Sequence, residues 1–511
     1  MRIGNYKLSN LFALSVMAVF LLFCGCGGIA INPAPATPAP LSANNINLIF
    51  VVSGDLDYQA PGDISASTAN LTVQGLQRSL LMAPFLVNDV LGGNNVTGIY
   101  ALEPMTHQQT THGYPDMAAT ETIEQFALLN QITLSTNTTG GDFYTGNNYP
   151  IYVSYALGSI PSGVAEPSSP CPNCQGLDFN DLGGDNETLV TGIIDADLPG
   201  YYVFSAPWET TSALLENINT FERFHLALPS GYQGPNYIYA ISIPPSGGAR
   251  LTTYNSNVNP PNTYPVLPVL SPPALASASC TVNVPPVITV TVTVDSGVTV
   301  LPADINTNET VYLVRHAEAH PKDDWSDNGY VGAGQWRALD LPNALLGKIS
   351  PNQVWSGDIS QFTEGTTTAS GEHLWSGIAP ALTVEPYAIA NNLPYNLVSS
   401  FELSDTNYAQ LISNFFFTGG RFSNQKVLVG WSYQQIQPTV QALVLSYYPP
   451  PPPPPAQPTP LPASLTVPTW LDNDYDSLWT LTLDANGNLT ADFTQCEGID
   501  SGTLPPMAPQ W

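Results

Sequence analysis

Residues 311–321, VYLVRHAEAHP, read as the end of an apolar strand that places Arg315, His316 and Glu318 on the following loop. An imidazole at a strand end can attack phosphorus, and a neighbouring guanidinium can hold phosphoryl oxygens through charged, bidentate hydrogen bonds. The spacing therefore indicates phosphoryl chemistry. Such chemistry needs several fixed cations and donors, because negative charge spreads over the phosphoryl group during its transfer.

Similar segments recur along the chain in the same order, which indicates an internal repeat. NLIFVVSGDLDY near residue 50 parallels TVYLVRHAEAHP near residue 312, and both read as an apolar strand followed by a loop. LTVQGLQRSLLMAPFL (71–86) parallels YVGAGQWRALDLPNAL (330–345). Apolar residues at helical spacing predict an amphipathic helix in each of these two segments.

Three further pairs of segments complete the repeat. VTGIYALEP parallels PNQVWSGDI as a second strand, and YYVFSAPWETTSALL parallels KVLVGWSYQQIQPTV as a strand that leads into a helix. NYIYAISIPPSGGARLTTY parallels DSLWTLTLDANGNLTADF, two strands joined by a Gly-bearing turn, which is typical of a hairpin. We therefore predict two tandem α/β domains, 46–256 and 308–511, with mainly parallel sheets covered by helices on both faces. Any site should lie at the carboxyl ends of the strands.

Both copies resemble the histidine phosphatase superfamily, which has a phosphoglycerate-mutase-like fold, and the first copy, 46–256, resembles a degenerate member without the Arg-His motif. LVRHAEA, the helix with GxxRA, a second strand and the VLVGW…QQI step from strand to helix carry this resemblance. It implies three-layer α/β/α domains, a covalent phosphate on His316, and Arg315 as the ligand of the phosphoryl oxygens. Members also use an acidic residue to protonate the leaving oxygen, and Glu318 completes the Arg-His-x-Glu loop as a catalytic candidate. Further candidates for this acid are Glu364, Glu372 and Glu402.

The second copy lacks two groups that the resemblance implies. Members carry a second arginine after the second strand, but GDISQFTEGTTTAS contains none. They also carry a second histidine after the late strand, where this chain has Trp431, Ser432 or Tyr433. His320 and His373 could supply an imidazole by folding back into the site, although a loop histidine is more often a surface or packing residue.

The first copy lacks the Arg-His motif altogether. Its corresponding loop reads SGDLDY from Ser53 onward, and the carboxylates of Asp55 and Asp57 would repel phosphate. His107 and His112 have no nucleophile beside them. We therefore predict that the first copy is non-catalytic, and we expect neither a metal site nor a cofactor in the protein.

The leading hypothesis is a degenerate histidine-phosphatase-like protein with weak or no phosphomonoesterase activity. It would act as a binding or scaffold module and would still hold a phosphate-bearing small molecule at Arg315. One alternative is an active acid phosphomonoesterase that forms phosphohistidine at His316. Another is a cell-surface adhesion or carbohydrate-binding protein, which the Tyr, Trp and Asn content suggests.

Composition bears on partners and location. The 511 residues include 40 acidic and 11 basic residues, a net charge of −29, which argues against nucleic acid as a partner. Only 10% of the residues are charged, and neutral polar residues carry much of the polarity. This mixture favours an extracytoplasmic protein, and one hypothesis is that it works in acid.

The N-terminal sequence resembles a bacterial lipoprotein signal. Two basic residues precede an apolar stretch at 11–23 that is short for a membrane span, and FCGCGG follows. We predict a signal peptide at 1–25, lipidation of Cys26, and a Pro/Ala-rich tether at 26–45. The protein would then be held on the bacterial cell envelope, at the outer membrane or cell surface, by its lipid anchor alone. An ordinary signal peptide with incidental cysteines is the alternative.

Four cysteines remain beyond the signal, in a compartment that would be oxidising. CPNC favours a local disulfide over a redox or metal pair, because no second CxxC and no His pair accompanies it. A second disulfide, between Cys280 and Cys496, is also compatible with the sequence. The disulfide candidates are Cys171, Cys174, Cys280 and Cys496.

Two proline-rich regions lie between or within the copies. Residues 257–307 contain a Pro-rich linker and then VPPVITVTVTVDSGVTVLP, whose alternation of Val and Thr predicts an added strand. Residues 449–460 form a polyproline insertion in the second copy. This insertion is either a stiff exposed spacer or a segment that recruits a protein partner.

Overall fold

The described residues from 39 onward fold together around two main β-sheets. The computed structural model describes residues 37–58, 62–105, 107–129, 151–153, 176–179, 181, 184–269, 289–292, 299–319, 331–359, 362–363, 367–368, 371–372, 375–376, 378–398, 407–448 and 467–511. Across these residues, none of the helices combines the length and the apolar character that crossing a membrane requires.

The first half of the chain supplies a six-stranded sheet and four α-helices among the described residues. Its strands are β1 (Ile46–Val52), β2 (Gly98–Ala101), β3 (Gln108–Gln109), β4 (Tyr114–Pro115), β5 (Ile151–Val153), β6 (Gly200–Ala206), β7 (Tyr237–Ile243) and β8 (Arg250–Asn255). Its helices are α1 (Val73–Phe85), α2 (Ala118–Leu129), α3 (Asp185–Asp195) and α4 (Trp208–Phe221), and a π-helix (Leu86–Val90) follows α1 directly. The sheet order is β5-β2-β6-β1-β7-β8; the first four of these strands are parallel, and β7 and β8 are antiparallel additions.

Among the described residues, the second half supplies a seven-stranded sheet and two separate two-stranded sheets. Its strands are β9 (Thr289–Val292), β10 (Glu309–Arg315), β11 (Gln353–Gly357), β12 (Phe362–Thr363), β13 (Thr367–Thr368), β14 (Gly371–Glu372), β15 (Trp375–Ser376), β16 (Tyr395–Val398), β17 (Lys426–Trp431), β18 (Ser477–Leu483) and β19 (Leu489–Cys496). Its helices are α5 (Gly332–Ala344), α6 (Ala379–Asn391), α7 (Tyr408–Phe417) and α8 (Tyr433–Ser446), and a 3₁₀-helix (Ser501–Thr503) lies near the C-terminus. The order is β16-β11-β17-β10-β18-β19-β9, again with four parallel strands followed by antiparallel ones.

The two sheets therefore have the same order of corresponding strands, with β9 added to the second. The predicted strands, strand-to-helix steps and both hairpins are confirmed where the sequence repeat places them. The predicted Val/Thr strand is confirmed as β9, which pairs with β19. That the halves arose by tandem duplication stays a prediction.

Apolar side chains on both faces of each sheet explain why helices cover both faces. In β1, Leu48 and Phe50 face the helical layer of α3 and α4, whereas Ile49 and Val51 face α1 and α2. In the second half, α7 and α8 cover one face of the sheet, and α5 and α6 cover the other. A strand that is buried on both faces reads as a continuous apolar run, as β1 does. Each half thus has the expected α/β/α layers.

The inner helices of the two halves pack against each other. Leu76 of α1 shares an apolar cluster with Leu339 of α5. Three buried carboxyl groups lie at the same junction: Glu121 and Glu124 of α2, and Glu385 of α6. Burial is the main cause of the raised pKa of all three groups, and their mutual charge adds to it for Glu124 and Glu385.

Candidate active site

The Arg-His motif ends β10 at the carboxyl edge of the second sheet, as predicted. Arg315 pairs with Trp431 in the register of β10 and β17, and the backbone N–H of His316 donates to the Trp431 carbonyl at 2.9 Å. The N–H of Ala317 donates to the Thr383 hydroxyl on α6 at 2.8 Å. The loop is therefore held between a strand and a helix, which fixes the direction of the His316 side chain.

His316 is held as a neutral imidazole. Its Nδ1 lies 2.8 Å from the Ala317 carbonyl oxygen, so Nδ1 carries the proton and donates it, and Nε2 carries the lone pair. Burial and the neighbouring charge of Arg315 lower the His316 pKa to about 3. A neutral ring with a fixed Nε2 lone pair is the form that a nucleophilic histidine needs.

Arg315 is buried, and one nitrogen of its guanidinium faces backbone carbonyls. Its Nη1 donates to the backbone carbonyls of Leu471, Asp472 and Asp474. Its guanidinium carbon lies 4.3 Å from the centroid of the Tyr433 ring and 3.9 Å from that of Tyr475. Among the described residues only Nη1 of this group donates hydrogen bonds, and Nε is buried without a partner. One of the three guanidinium nitrogens is thus already engaged by the protein.

Glu318 pairs with Arg337 rather than with Arg315. Arg337 Nε donates to both Glu318 oxygens at 3.0 and 2.9 Å, and Nη2 adds a bond of 2.8 Å. The Ser501 hydroxyl donates to the same carboxylate at 2.6 Å. Both Glu318 and Arg337 have no exposed surface. Because both of its oxygens are buried and hydrogen-bonded, Glu318 cannot reach a leaving group to protonate it. We therefore assign Glu318 to the buried ion pair and not to catalysis.

The other predicted candidates are scattered or lie outside the described residues. His320, His373, Glu364 and Glu402 fall outside them, as do the lipidation candidate Cys26, Cys171, Cys174 and Cys280. Glu372 lies on β14, which pairs with β13 in a separate two-stranded sheet. Cys496, at the end of β19, is disulfide-bonded. Trp431 and Tyr433 stand where a second histidine was expected. Trp431 packs in the apolar core beneath α7 and α8, and the Tyr433 ring packs on Arg315.

The corresponding edge of the first sheet is built on the same backbone plan. The N–H of Ser53 donates to the Ala206 carbonyl at 3.0 Å, as that of His316 does to Trp431. Ser53 therefore stands in the place of the nucleophile, and the expectation that this half lacks a phosphohistidine is consistent with that placement. Its loop nevertheless brings together groups that the sequence did not connect, namely Asp55, His107 and Glu209.

The side chains of this second cluster have shifted pKa values. Burial raises the Asp55 pKa, and burial together with the charge of Asp55 raises the Glu209 pKa to about 7. Burial lowers the His107 pKa, but the hydrogen bond and charge of Asp116 outweigh burial, so its pKa is raised. Sequence spacing carried no signal for this cluster, because its members follow three different strands. The carboxyl-end rule for parallel strands was the available clue.

Comparisons with known proteins give limited information. No protein-family model and no curated protein matches the chain. Among solved structures, one similar chain is assigned as the phosphohistidine phosphatase SixA from Agrobacterium tumefaciens, with 18% identity and a TM-score of 0.21 over 36% of this chain and 97% of that one. A phosphoserine phosphatase from Entamoeba histolytica in complex with 3-phosphoglyceric acid has 18% identity and a TM-score of 0.21 over 42% and 98%. A mycobacterial hydrolase has 12% identity and a TM-score of 0.23 over 42% and 92%. Likeness at this level carries no argument about activity.

Proposed function

We propose that the protein is an extracytoplasmic, histidine-phosphatase-like lipoprotein with weak or no phosphomonoesterase activity that serves as a binding or scaffold module. The engagement of Arg315 by backbone carbonyls and two tyrosine rings is the observation that carries this proposal. The tandem arrangement and the lipid anchor at Cys26 belong to the proposal and rest on the sequence repeat and the N-terminal sequence.

The physical argument is electrostatic. A phosphoryl group in transfer needs cations and donors directed at its oxygens, and each such contact is worth about 100- to 1000-fold in rate. The Arg315 Nη1 is directed at carbonyl oxygens, and the Glu318 carboxylate is directed at Arg337. Losses within one cooperating site do not simply add, so a trace of turnover is compatible with the proposal.

Hydrolysis of an aryl phosphate from pH 2 to pH 8 tests the proposal. We compare the full-length protein with His316→Ala and with His112→Ala, which removes an exposed histidine of the first half. We expect the three proteins to give the same trace rate, and matching thermal unfolding curves would show that the variants are folded. A wild-type rate far above this trace, which His316→Ala abolishes and His112→Ala preserves, would overturn the proposal.

An active acid phosphomonoesterase is the second candidate, and the His316 ring favours it. Its Nδ1 is fixed on the Ala317 carbonyl, so Nε2 is available as a nucleophile, and the buried Arg315 Nε could donate to one phosphate oxygen. This function predicts a covalent phosphate on the wild-type protein. Rapid quenching with radiolabelled substrate would detect that phosphate, and His316→Ala should lack it.

A further inference from the structure

Three side chains with metal-binding atoms meet at the carboxyl edge of the first sheet. Asp55 follows β1, His107 precedes β3 in the connection after β2, and Glu209 lies in the first turn of α4 after β6. One ligand atom from each residue lies within 4.8 Å of those from the other two. The edge that holds the Arg-His pair in the second half thus holds one imidazole and two carboxyl groups here.

His107 is oriented by a buried carboxylate. The Asp116 Oδ2 lies 2.8 Å from His107 Nδ1, and Asp116 has no exposed surface. Asp116 is itself held by the Gln109 side-chain amide at 2.7 Å and by the Ala118 N–H at 2.9 Å. Nδ1 therefore carries a proton for Asp116, and Nε2, 3.8 Å from Glu209 Oε2, is the nitrogen that could bind a cation in place of a proton. A carboxylate behind a histidine is the usual support of a metal-bound imidazole.

The two carboxyl groups leave buried oxygens without donors. Asp55 is 3% exposed, and its Oδ1 accepts from the Asp57 N–H at 2.7 Å. Asp55 Oδ2 and Glu209 Oε2 are buried without a donor among the described residues, and the two carboxyl groups face each other. Unpaired buried acceptors are costly and uncommon. A bound cation would satisfy both oxygens and the His107 lone pair together.

We propose that Asp55, His107 and Glu209 bind a divalent first-row transition-metal cation, with Zn²⁺ as the best match. One imidazole and two carboxylates suit Zn²⁺, whereas Mg²⁺ and Ca²⁺ favour ligand sets made of oxygen alone. Three protein ligands leave a coordination position for water or a small ligand. Glu209 also lines a pocket together with Phe179 and Asn186.

This site goes beyond the proposed scaffold function, and it revises the expectation that the protein has no metal site. It is independent of His316 and Arg315, so either inference can fail alone. The competing arrangement is a proton shared between the carboxyl groups of Asp55 and Glu209, which would satisfy the same oxygens without a metal.

Calorimetric titration of Zn²⁺ into the full-length protein tests the site, after removal of any affinity tag and treatment with a chelator. Each ligand variant has a matched control that makes the same chemical change at an exposed position nearby. The pairs are Asp55→Asn with Asp57→Asn, His107→Asn with His112→Asn, and Glu209→Gln with Glu216→Gln. Asp116→Asn tests the orienting carboxylate.

We expect one Zn²⁺ per chain, no comparable heat with Mg²⁺, and unchanged binding in the three controls. Asp116→Asn should weaken binding about 10- to 100-fold, as is typical when the support of a metal-bound histidine is lost. The three ligand variants should weaken it more than Asp116→Asn does. Absence of stoichiometric Zn²⁺ binding, or binding that survives all three ligand variants, would overturn the proposal. The proton shared between Asp55 and Glu209 would then be the better explanation of the cluster.

Co²⁺ added to the wild-type protein provides a measurement that does not depend on the folding of variants. A bound Co²⁺ with nitrogen and oxygen ligands should give visible d–d absorption that Zn²⁺ displaces, without the strong near-ultraviolet band of a thiolate ligand. A spectrum unchanged from that of aqueous Co²⁺, or one that shows thiolate ligation, would exclude this ligand set.

Discussion

At the scale of residues, the partners of an arginine decide its role more than its position in a motif does. Arg315 belongs to the predicted catalytic pair, yet carbonyl oxygens and aromatic rings surround it. Arg337, on the following helix, instead joins Glu318 and Glu497, with its Nη1 2.7 Å from the Glu497 carboxylate. This ion-pair cluster ties α5 to the loop after β10 and to the segment after β19.

Arg337→Met should lower the free energy of unfolding by about 3–5 kcal/mol, because it leaves the buried Glu318 carboxylate without its cation and Glu497 without its hydrogen-bond donor. Arg78 occupies the matching position on α1 and pairs with Asp63 at 3.1 Å, but its side chain is 15% exposed. Arg78→Met should therefore cost less than Arg337→Met, and Arg250→Met on an exposed position of β8 should cost least. Urea unfolding of the three variants measures this order, and equal losses for Arg337→Met and Arg250→Met would contradict it.

At the scale of elements, α1 lies unusually close to the loop that precedes it. A Cβ at Gly75 would lie 2.2 Å from the Asp63 carbonyl oxygen, so the helix can take this position only with glycine. The Thr72 hydroxyl caps the helix by accepting from the Gly75 N–H at 3.2 Å. Close packing, the helix cap and the ion pair between Arg78 and Asp63 together hold this loop beside the carboxyl edge of the first sheet.

Gly75→Ala and Gly192→Ala should have opposite effects, although both add one methyl group to a helix. Gly75→Ala should destabilise the protein by about 1–3 kcal/mol, because backbone atoms of Asp63 must move. Gly192 on α3 is exposed, and its added Cβ would meet no atom within 4 Å. Gly192→Ala should therefore stabilise the protein by up to about 1 kcal/mol, because alanine favours the helix. Thermal unfolding compares them, and a shift of the same sign in both would contradict this account.

At the scale of the whole molecule, many carboxyl groups are buried within and between the two halves. Burial raises the pKa of Glu309 and of Glu497 to about 8, although Arg337 partly offsets the effect at Glu497. Glu121, Glu124 and Glu385 have raised pKa values at the junction of the inner helices. The folded protein therefore holds protons near neutral pH that the unfolded chain would release.

Stability should fall as the pH rises from about 5 to 8. A carboxyl group whose folded pKa is raised stabilises the fold fully below its ordinary pKa, and that contribution is lost as the pH rises through the raised value. His316 has the opposite effect, because its folded pKa is lowered to about 3. Its contribution to stability is lost as the pH falls below 6.5. The pH of maximum stability should therefore lie in mild acid rather than at the lowest pH. Thermal unfolding across this range should give a higher midpoint at about pH 5 than at pH 8.

Glu385→Gln should flatten this pH dependence, because it removes one of the protons that only the folded state retains. Glu216→Gln, at an exposed position on α4, should leave the dependence unchanged. A midpoint that rises steadily from pH 5 to pH 8 in the wild-type protein would contradict the sign of this prediction. A maximum in mild acid would also agree with the hypothesis of an acidic working environment.

The sequence alone determined the layout of each half. Apolar runs, helical spacing and Gly-bearing turns predicted β1, α1, both hairpins and the strand β9, because these patterns report local backbone preference and burial. It also placed Arg315 and His316 at a strand end. Helices α2, α3, α6 and α7 had no repeat match to indicate them and appear only in the structure.

Only the tertiary structure decided which side chains meet. Glu318 forms an ion pair with Arg337, and Arg315 donates to carbonyl groups beyond β17. Asp55 lies beside His107 and Glu209. These partners are far apart in the sequence. Local patterns carry no information about such pairs, because parallel strands bring distant loops to a common edge and long-range packing then selects the partners. The chemistry at both edges was therefore decided by packing, while the sequence alone determined where those edges lie.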